Sequence, residues 1–322
     1  MSDKSKIEWT EATWNPVVGC TKVSAGCANC YAEKMAYRLA CMGQEKYQVV
    51  ISVDGGLWNH KIFCDEATLD KPRHWRKPRR IFVCSMGDLF HPDVPESFIA
   101  KVFNVIRERD YGNGGHPGHT FQILTKRPER AAELLPRLRF DPAGEGKVFF
   151  ANRAIGLSLT YLLKNLWLGV TCENQATADK RIPQLLQIPA AVRFVSVEPM
   201  LGPVDLEYVK DYTKPNRFCK YERIYALLGE RSVLGHRITE EKLDWVIIGC
   251  ETGPGRRPCK LEWVRDLIKR CDAAKVPVFI KALLINGKVC KNIEQWPPDL
   301  QRREYPRCKE PRSNNEICKR IH

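Results

Sequence analysis

Trp245-Val246-Ile247-Ile248-Gly249-Cys250-Glu251-Thr252-Gly253-Pro254-Gly255-Arg256-Arg257 is an apolar run that stops on a glycine and gives way to polar residues. An uninterrupted, β-branched run of this length reads as a strand buried on both faces, the habit of parallel sheets. Just beyond it, Trp263, Leu267, Ile268 and Cys271 fall on one face of a helix. Val278-Phe279-Ile280 then supplies another short apolar run, so the stretch spells one βαβ unit.

The same unit recurs towards the N-terminus. Ile81–Cys84, Phe121–Leu124, Leu166–Val170 and Arg193–Val197 are further strands, and Trp14–Val18 is a weak first one limited by Pro16. Between them, Phe98, Val102, Val105 and Ile106 share a helical face after a capping-box pattern, Asp93…Glu96. Pro128–Leu138 and a segment after Gln175, interrupted by Pro183, fill the other gaps. Strand–helix alternation in this order predicts an α/β fold: a parallel (βα) barrel or partial barrel of about six to seven strands. A doubly wound open sheet is the competing architecture. We expect one barrel-like domain over residues 1–285, with insertions near 42–70, 110–120 and 207–240. Residues 286–322 form a basic C-terminal extension.

In such folds the reacting groups collect at the C-terminal ends of the strands. Here those ends carry Ser85-Met86-Gly87-Asp88, Thr125-Lys126-Arg127, Thr171-Cys172-Glu173-Asn174, Glu198-Pro199, Glu251 to Arg257, and Lys281. A single polar strand end is explained by a helix cap; a succession of them, several pairing acids with bases, marks a site. Lys126, Arg127, Arg256, Arg257 and Lys281 would line its mouth with positive charge suited to an anionic substrate. Glu198 and Glu251 are placed to move protons or to pair with those cations, and we take Glu198, Glu251 and Lys281 as the candidate catalytic groups.

The front of the chain holds the other chemical signal: Cys20, Cys27 and Cys30, in Gly19-Cys20-Thr-Lys-Val-Ser-Ala-Gly-Cys27-Ala-Asn-Cys30-Tyr31. Three close thiolates with no fourth Cys or His nearby suit a four-iron cluster with one iron left open. A Cys-x2-Cys pair is equally half of a zinc site, but no second such pair follows. The 14 cysteines in 322 residues are too sparse for a secreted disulfide scaffold. Cys250, Cys259 and Cys290 fit either a second cluster or plain buried thiols.

Composition narrows the partners. A net charge of +14, from 52 Lys+Arg against 38 Asp+Glu, favours a polyanion, nucleic acid above all. The densest stretch, Lys71-Pro-Arg73-His-Trp75-Arg76-Lys77-Pro-Arg79-Arg80, reads either as a phosphate-binding patch with Trp75 stacking on a base or as a solvated linker. Apolar runs are too short for a membrane span and no export leader opens the chain, so a cytoplasmic protein with no membrane contact is expected.

With these motifs in place, the chain resembles a phage-associated family that carries a three-cysteine motif and is grouped with radical S-adenosylmethionine (SAM) enzymes. The likeness runs from about residue 7 to 285 and recurs at the strand ends. It includes Thr13-Trp-Asn-Pro-Val-Val-Gly-Cys20, Arg80 to His91, Leu124-Thr-Lys-Arg-Pro128, Val197-Glu-Pro-Met-Leu-Gly202 and Gly249 to Arg256. The resemblance implies a [4Fe–4S] cluster on Cys20, Cys27 and Cys30, and SAM at the open iron. Asp88 would then face the SAM amino group, and Glu173 and Asn174 its ribose. Gly249 and Gly253 would allow close backbone approach. It also implies an electron donor of the reduced flavodoxin or ferredoxin type, a possible companion protein, and host cytoplasm as the location. Two features depart from the common radical SAM pattern. The first cysteine gap is longer than the usual Cys-x3-Cys, and Ser85-Met-Gly-Asp88 stands where Gly-Gly-Glu is usual. The substrate expected is nucleic acid or a nucleotide, modified or repaired. Radical chemistry on a peptide or small metabolite, and a zinc-stabilised nucleic-acid-binding protein without turnover, are the alternatives.

Overall fold

The computed structural model describes residues 5–52, 54–110, 118–141, 147–151, 157–158, 164–214, 220–233, 236–239 and 241–307. Its centre is one eight-stranded sheet in which neighbours follow chain order. The strands are β1 (Ala12–Trp14), β2 (Arg80–Val83), β3 (Thr120–Thr125), β4 (Leu166–Thr171), β5 (Val192–Val197), β6 (Trp245–Gly249), β7 (Val278–Ile285) and β8 (Lys288–Cys290). β1 to β7 pair in parallel, and β8 turns back antiparallel on β7. The helices are α1 (Tyr31–Cys41), α2 (Glu45–Val50), α3 (Glu96–Glu108), α4 (Pro128–Leu134), α5 (Gln175–Leu186) and α6 (Leu261–Ala273).

Among the described residues no barrel closes, because β1 and β8 pair on one side only. The edge of β7 that would return to β1 is already taken. β8 holds its C-terminal part, and residues 302–304 hold its start, through Ile280 N–H to Arg302 O at 2.9 Å and Glu304 N–H to Val278 O at 3.0 Å. The described part of the expected C-terminal extension, 286–307, is therefore built into the sheet, with Trp296 and Leu300 in the core. Positions 308–322 lie outside the described residues.

Strand alternation divides the core between two faces. Ile81, Ile123, Leu168, Val195, Ile248 and Val278 pack with the helices in one cluster. Phe82, Trp167, Phe194, Trp245, Ile247 and Phe279 form a second, on the face without helices, around Trp9. The Trp9 ring lies 4.7 Å from Phe82 and 6.2 Å from Trp245. In a flat sheet β2 and β6, four positions apart in the strand order, would be ~19 Å apart. One indole reaches both, so the sheet is strongly curled and its hollow is plugged by aromatic rings. Gly169 leaves room for that plug, since a Cβ there would sit 2.5 Å from the Phe194 ring. Gly169→Ala is expected to destabilise the protein by about 1–3 kcal/mol through overpacking, read from the urea midpoint.

Local signals were overridden at several points. Pro16 splits the first strand, and Val17–Val18 pairs antiparallel with Phe63–Cys64 instead of extending β1. The Asp93…Glu96 box does not form, because Pro95 occupies the N-cap position of α3. Pro183 interrupts nothing, as α5 runs through it. The 42–70 insertion carries α2 and the Phe63–Cys64 strand. Most of 110–120 (111–117) lies outside the described residues, and Thr120 opens β3. The 207–240 insertion is a four-stranded antiparallel sheet. α4 ends at Leu134, short of the expected Leu138, and a 3-10 turn then leads into a three-stranded sheet of Leu138–Phe140, Val148–Phe150 and Leu157–Ser158. Among the described residues no helix is long and apolar enough to cross a membrane.

Candidate functional site

The two-residue period that puts Trp167, Phe194, Trp245 and Phe279 on the helix-free face continues to the strand ends. It carries Lys126, Glu173, Glu198, Glu251 and Lys281 to that same side, beyond the aromatic plug.

Over this rim lies the cysteine loop. Gly19 starts it with φ +96°, and a Cβ there would collide with the Lys61 carbonyl at 2.4 Å, so glycine is required. A 3-10 turn, Ala25–Cys27, follows, and Cys30 is the N-cap residue of α1. Several strand ends hold the loop in place. Beyond β4, Glu173 accepts the Ser24 hydroxyl and the Gly26 N–H (3.0 Å) while paired with Arg181 at 2.7 Å. Beyond β6, Glu251 accepts Asn29 Nδ2 at 3.0 Å, Arg257 N–H at 2.8 Å and the Arg257 guanidinium, which itself donates to Ala25 O at 2.9 Å. Beyond β3, the Arg127 guanidinium donates to the Thr21 carbonyl and hydroxyl at 2.9 and 2.7 Å.

Two cations point at the sulfurs. Lys126 Nζ lies 3.5 Å from Cys27 Sγ, and Arg127 donates to Cys20 Sγ at 3.6 Å. Burial pushes the Cys27 thiol up, but the Lys126 ammonium and backbone contacts at Val23 and Ser24 outweigh it and lower the thiol below its usual range. Burial, reinforced by the Asp88 charge, pushes Cys20 up to about 11 against the pull of Arg127. Cys20 and Cys30 lie within electrostatic range of each other. Among the described residues no set of three Cys, His, Asp or Glu is gathered tightly enough for a single metal ion. Three thiols on one loop, two of them receiving cationic N–H groups, fit the larger, anionic, sulfur-rich core of an iron–sulfur cluster.

Several expected ligands are committed to the protein itself. Asp88 is buried and accepts Thr125 Oγ1 (2.8 Å), Phe90 N–H (3.0 Å), Lys126 N–H (3.1 Å) and Arg127 (3.1 Å). It orients Arg127, and both its oxygens are used. Glu173 is fully buried. Its carboxyl is lowered: burial raises it, but the Arg181 and Lys126 charges prevail. Asn174 caps α5 by accepting Thr177 N–H at 3.0 Å. Lys126 and Arg127, expected to hold substrate, face the cysteines. Arg256 turns outward to the Gly253 and Gly287 carbonyls.

The groups left on the rim are Glu198 and Lys281, paired at 2.6 Å and half-buried. Glu198 fixes its neighbour: a Cβ on Gly249 would lie 3.1 Å from its carboxyl carbon. Gly253 has φ +94°. Cys250 and Cys259 are buried, and Cys290 donates to Asn292 O and Gln295 Oε1. Trp75, expected to stack on a base, is only 8% exposed and packs edge-on against His119. Arg73 beside it pairs with Asp70 and Glu108. The residues 71–80 are thus structural where Trp75 and Arg73 lie.

Sequence reasoning missed Asn15, whose Oδ1 accepts Ser85 N–H (2.7 Å) and Met86 N–H (3.2 Å), and it missed Ser24, Asn29 and Arg181. Ser24 and Asn29 stand within the cysteine motif, and that position was the available signal.

The Glu251 clasp gives a pH test. Burial raises its carboxyl, but the Arg257 bonds and Asn29 bring it from 4.5 down to about 2. Its stabilisation is therefore complete above pH 4.5 and lost as pH falls towards 2. In thermal melts, the deficit of Glu251→Gln relative to the parent is expected to shrink below pH 4.5 and disappear near pH 2; a deficit constant with pH would contradict the clasp.

Comparison with curated proteins and with solved structures gives no match. A family model described as a protein of unknown function, DUF5131, matches residues 4–295, nearly the whole chain, and the protein belongs to that family.

Proposed function

We propose that the protein is a radical SAM-type enzyme acting on nucleic acid or a nucleotide. The observation that carries this reading is the placement of Cys20 and Cys27 under the N–H groups of Arg127 and Lys126, in a loop laid over the strand ends of a curled, mostly parallel α/β sheet. A partial barrel of the radical SAM kind, open between β1 and β8, is the finer form of that fold. Cys20, Cys27 and Cys30 would hold a [4Fe–4S] cluster, which would supply the one-electron reductive chemistry that cleaves SAM.

The chain's own residues divide the work. Lys126 and Arg127 donate N–H groups to the ligand sulfurs and offset their negative charge, and Asp88 fixes the Arg127 guanidinium. Glu173 and Glu251 pin the loop between its cysteines. Lys281 and Glu198 present an ammonium and a carboxylate side by side, complementary to the carboxylate and ammonium of an amino-acid moiety such as the methionine part of SAM. Gly249 leaves room for the Glu198 carboxylate on the rim.

The net charge of +14 favours a polyanionic substrate. The chemistry needs a reductant of the flavodoxin or ferredoxin type, and a reducing cytoplasm, that of a phage host, suits it. The experiment is anaerobic loading with iron and sulfide, reduction with dithionite, addition of SAM and assay of 5′-deoxyadenosine. Product and about four irons per chain are expected. Colourless protein carrying stoichiometric zinc and refusing iron would sink the reading in favour of a zinc-stabilised binding protein.

A further inference from the structure

We propose that the outward face of the inserted four-stranded sheet binds single-stranded nucleic acid, its bases stacking on tyrosines and its phosphates meeting lysine and arginine. The sheet comprises Val209–Asp211, Glu222–Tyr225, Glu230–Val233 and His236–Thr239. Its first two strands and their flanks repeat one pattern, Tyr208-x-Lys210-x-Tyr212 and Tyr221-x-Arg223-x-Tyr225. A period of two puts each set on a single face.

The pairing register brings the two sets together. Lys210 stands opposite Arg223, which sets Tyr208 against Tyr225 and Tyr212 against Tyr221. The ring centroids of those pairs are 5.3 and 5.4 Å apart, and the Lys210 ammonium lies 5.1 Å from the Tyr221 ring. Tyr208 is 46% and Tyr212 52% exposed, and Lys210 and Arg223 are exposed between them. The other face is spent on the fold. Val209 and Ile224 lie in the core, and Arg231 is buried between Asp211 (2.6 Å) and Glu222 (3.0 Å).

Charge decides the occupant. The carboxylates near the platform are mostly engaged: Glu222 with Arg231, and Asp205 and Glu207 with Arg270. Glu230 lies in register with Tyr225, beyond the Lys210–Arg223 centre. The side chains exposed on this face are Tyr208, Lys210, Tyr212 and Arg223, with Tyr225 buried and Glu230 partly exposed at one end, and Lys214 and Lys220 are exposed beside them. Exposed rings on a sheet, spaced by cations, suit unpaired bases on a phosphate backbone; a duplex hides its base faces. The platform is tied to the site, because Asp205 N–H donates to Gln175 Oε1 (2.6 Å) and Lys210 N–H to Asp179 Oδ1 (3.1 Å), both on the helix that follows Glu173.

This deepens the functional reading by naming the form of the substrate, and it rests on that reading only for what becomes of the bound strand. The test is fluorescence anisotropy of full-length protein with labelled single strands of DNA and of RNA about 12 nucleotides long. Binding of at least one is expected, weakening steeply with salt. Tyr208→Ala with Tyr212→Ala is expected to weaken it about tenfold or more, Tyr212→Phe to preserve it, and Lys210→Gln with Arg223→Gln to flatten the salt dependence. The tyrosines are exposed, and an unchanged thermal melt verifies the fold of each variant. No binding at low salt, unchanged binding in the double tyrosine variant, or equal affinity for a duplex or for heparin would overturn the proposal. Cys27→Ala is expected to bind as the parent does, which separates the two ideas. Binding by a protein that takes up no iron leaves the platform standing without the radical chemistry. Formation of 5′-deoxyadenosine by a protein that binds no strand does the reverse.

Discussion

Under the proposed function, Cys27→Ala is expected to take up no iron–sulfur cluster on anaerobic loading and to form no 5′-deoxyadenosine above background. Cys27 is the middle thiol of the motif, and it is buried with the Lys126 ammonium 3.5 Å away. Its thiol is lowered and so deprotonates more readily to the thiolate, the form that ligates a metal. Alanine removes that sulfur while leaving the loop's anchors intact: Glu173 still receives Ser24 and Gly26, and Arg257 still reaches the Ala25 carbonyl. The loss is therefore one of ligation, and the urea midpoint of the iron-free variant should match that of the iron-free parent. Cys41→Ala provides the control. Its thiol is exposed at the last residue of α1, and its removal should leave iron content and product unchanged. A Cys27→Ala protein that holds as much iron and sulfide as the parent would take the cysteine loop out of the mechanism altogether. The readout does not depend on turnover, so iron and sulfide analysis alone decides it.

The parts of this architecture legible in the sequence are those written in short-range periodicity. The apolar runs at 81–84, 121–124, 166–170, 193–197 and 245–249 became adjacent parallel strands, and their polar ends met on one rim, because a period of two and chain-order pairing suffice to place them. What was not legible is who those polar ends hold. Glu173 meets Ser24 across 149 residues and Asn29 meets Glu251 across 222, and no local pattern announces either partner. Glu173, Asn174 and Asp88 therefore read as free ligand groups although each is spent on a loop, a helix cap or an arginine. The reverse held for Trp75, whose basic surroundings resemble a nucleic-acid patch until the packing of His119 against its ring is seen. Closure of the sheet was unreadable for a similar reason. It is decided by residues 302–304 occupying an edge of β7, in a segment whose composition suggested only a basic tail. The paired Tyr-x-Lys-x-Tyr and Tyr-x-Arg-x-Tyr alternation lies inside an insertion that breaks the βα rhythm, so only the strand pairing shows that the two patterns meet.

Glu173→Ala is expected to destabilise the protein by about 3–5 kcal/mol, the cost of stranding a buried charge. The Glu173 side chain is 0% and the Arg181 side chain 3% exposed, so water cannot take the carboxylate's place. Arg181 keeps its bond to the Thr171 carbonyl at 2.7 Å, but its charge is left uncompensated. Glu173→Gln keeps an acceptor for Ser24 and Gly26 and yet strands the same charge, so it should recover only part of the loss. Pairing it with Arg181→Leu removes the stranded charge as well and should restore most of the stability, since a buried ion pair is worth little more than an apolar contact of similar volume. This order separates charge compensation from mere loop attachment. If attachment dominated, Glu173→Gln alone would match the parent and Arg181→Leu would add nothing. The acid limb carries the matching sign: the Glu173 carboxyl is lowered in the fold, so its contribution is present above the ordinary carboxylate range and fades as pH falls through its depressed value. In Glu173→Ala, which removes the acceptor, the Ser24–Gly26 turn is released from the end of β4 beside Cys27. Faster alkylation of that thiol in the iron-free protein is then the local sign that the strand end, and not the loop's own sequence, holds the cysteine in position.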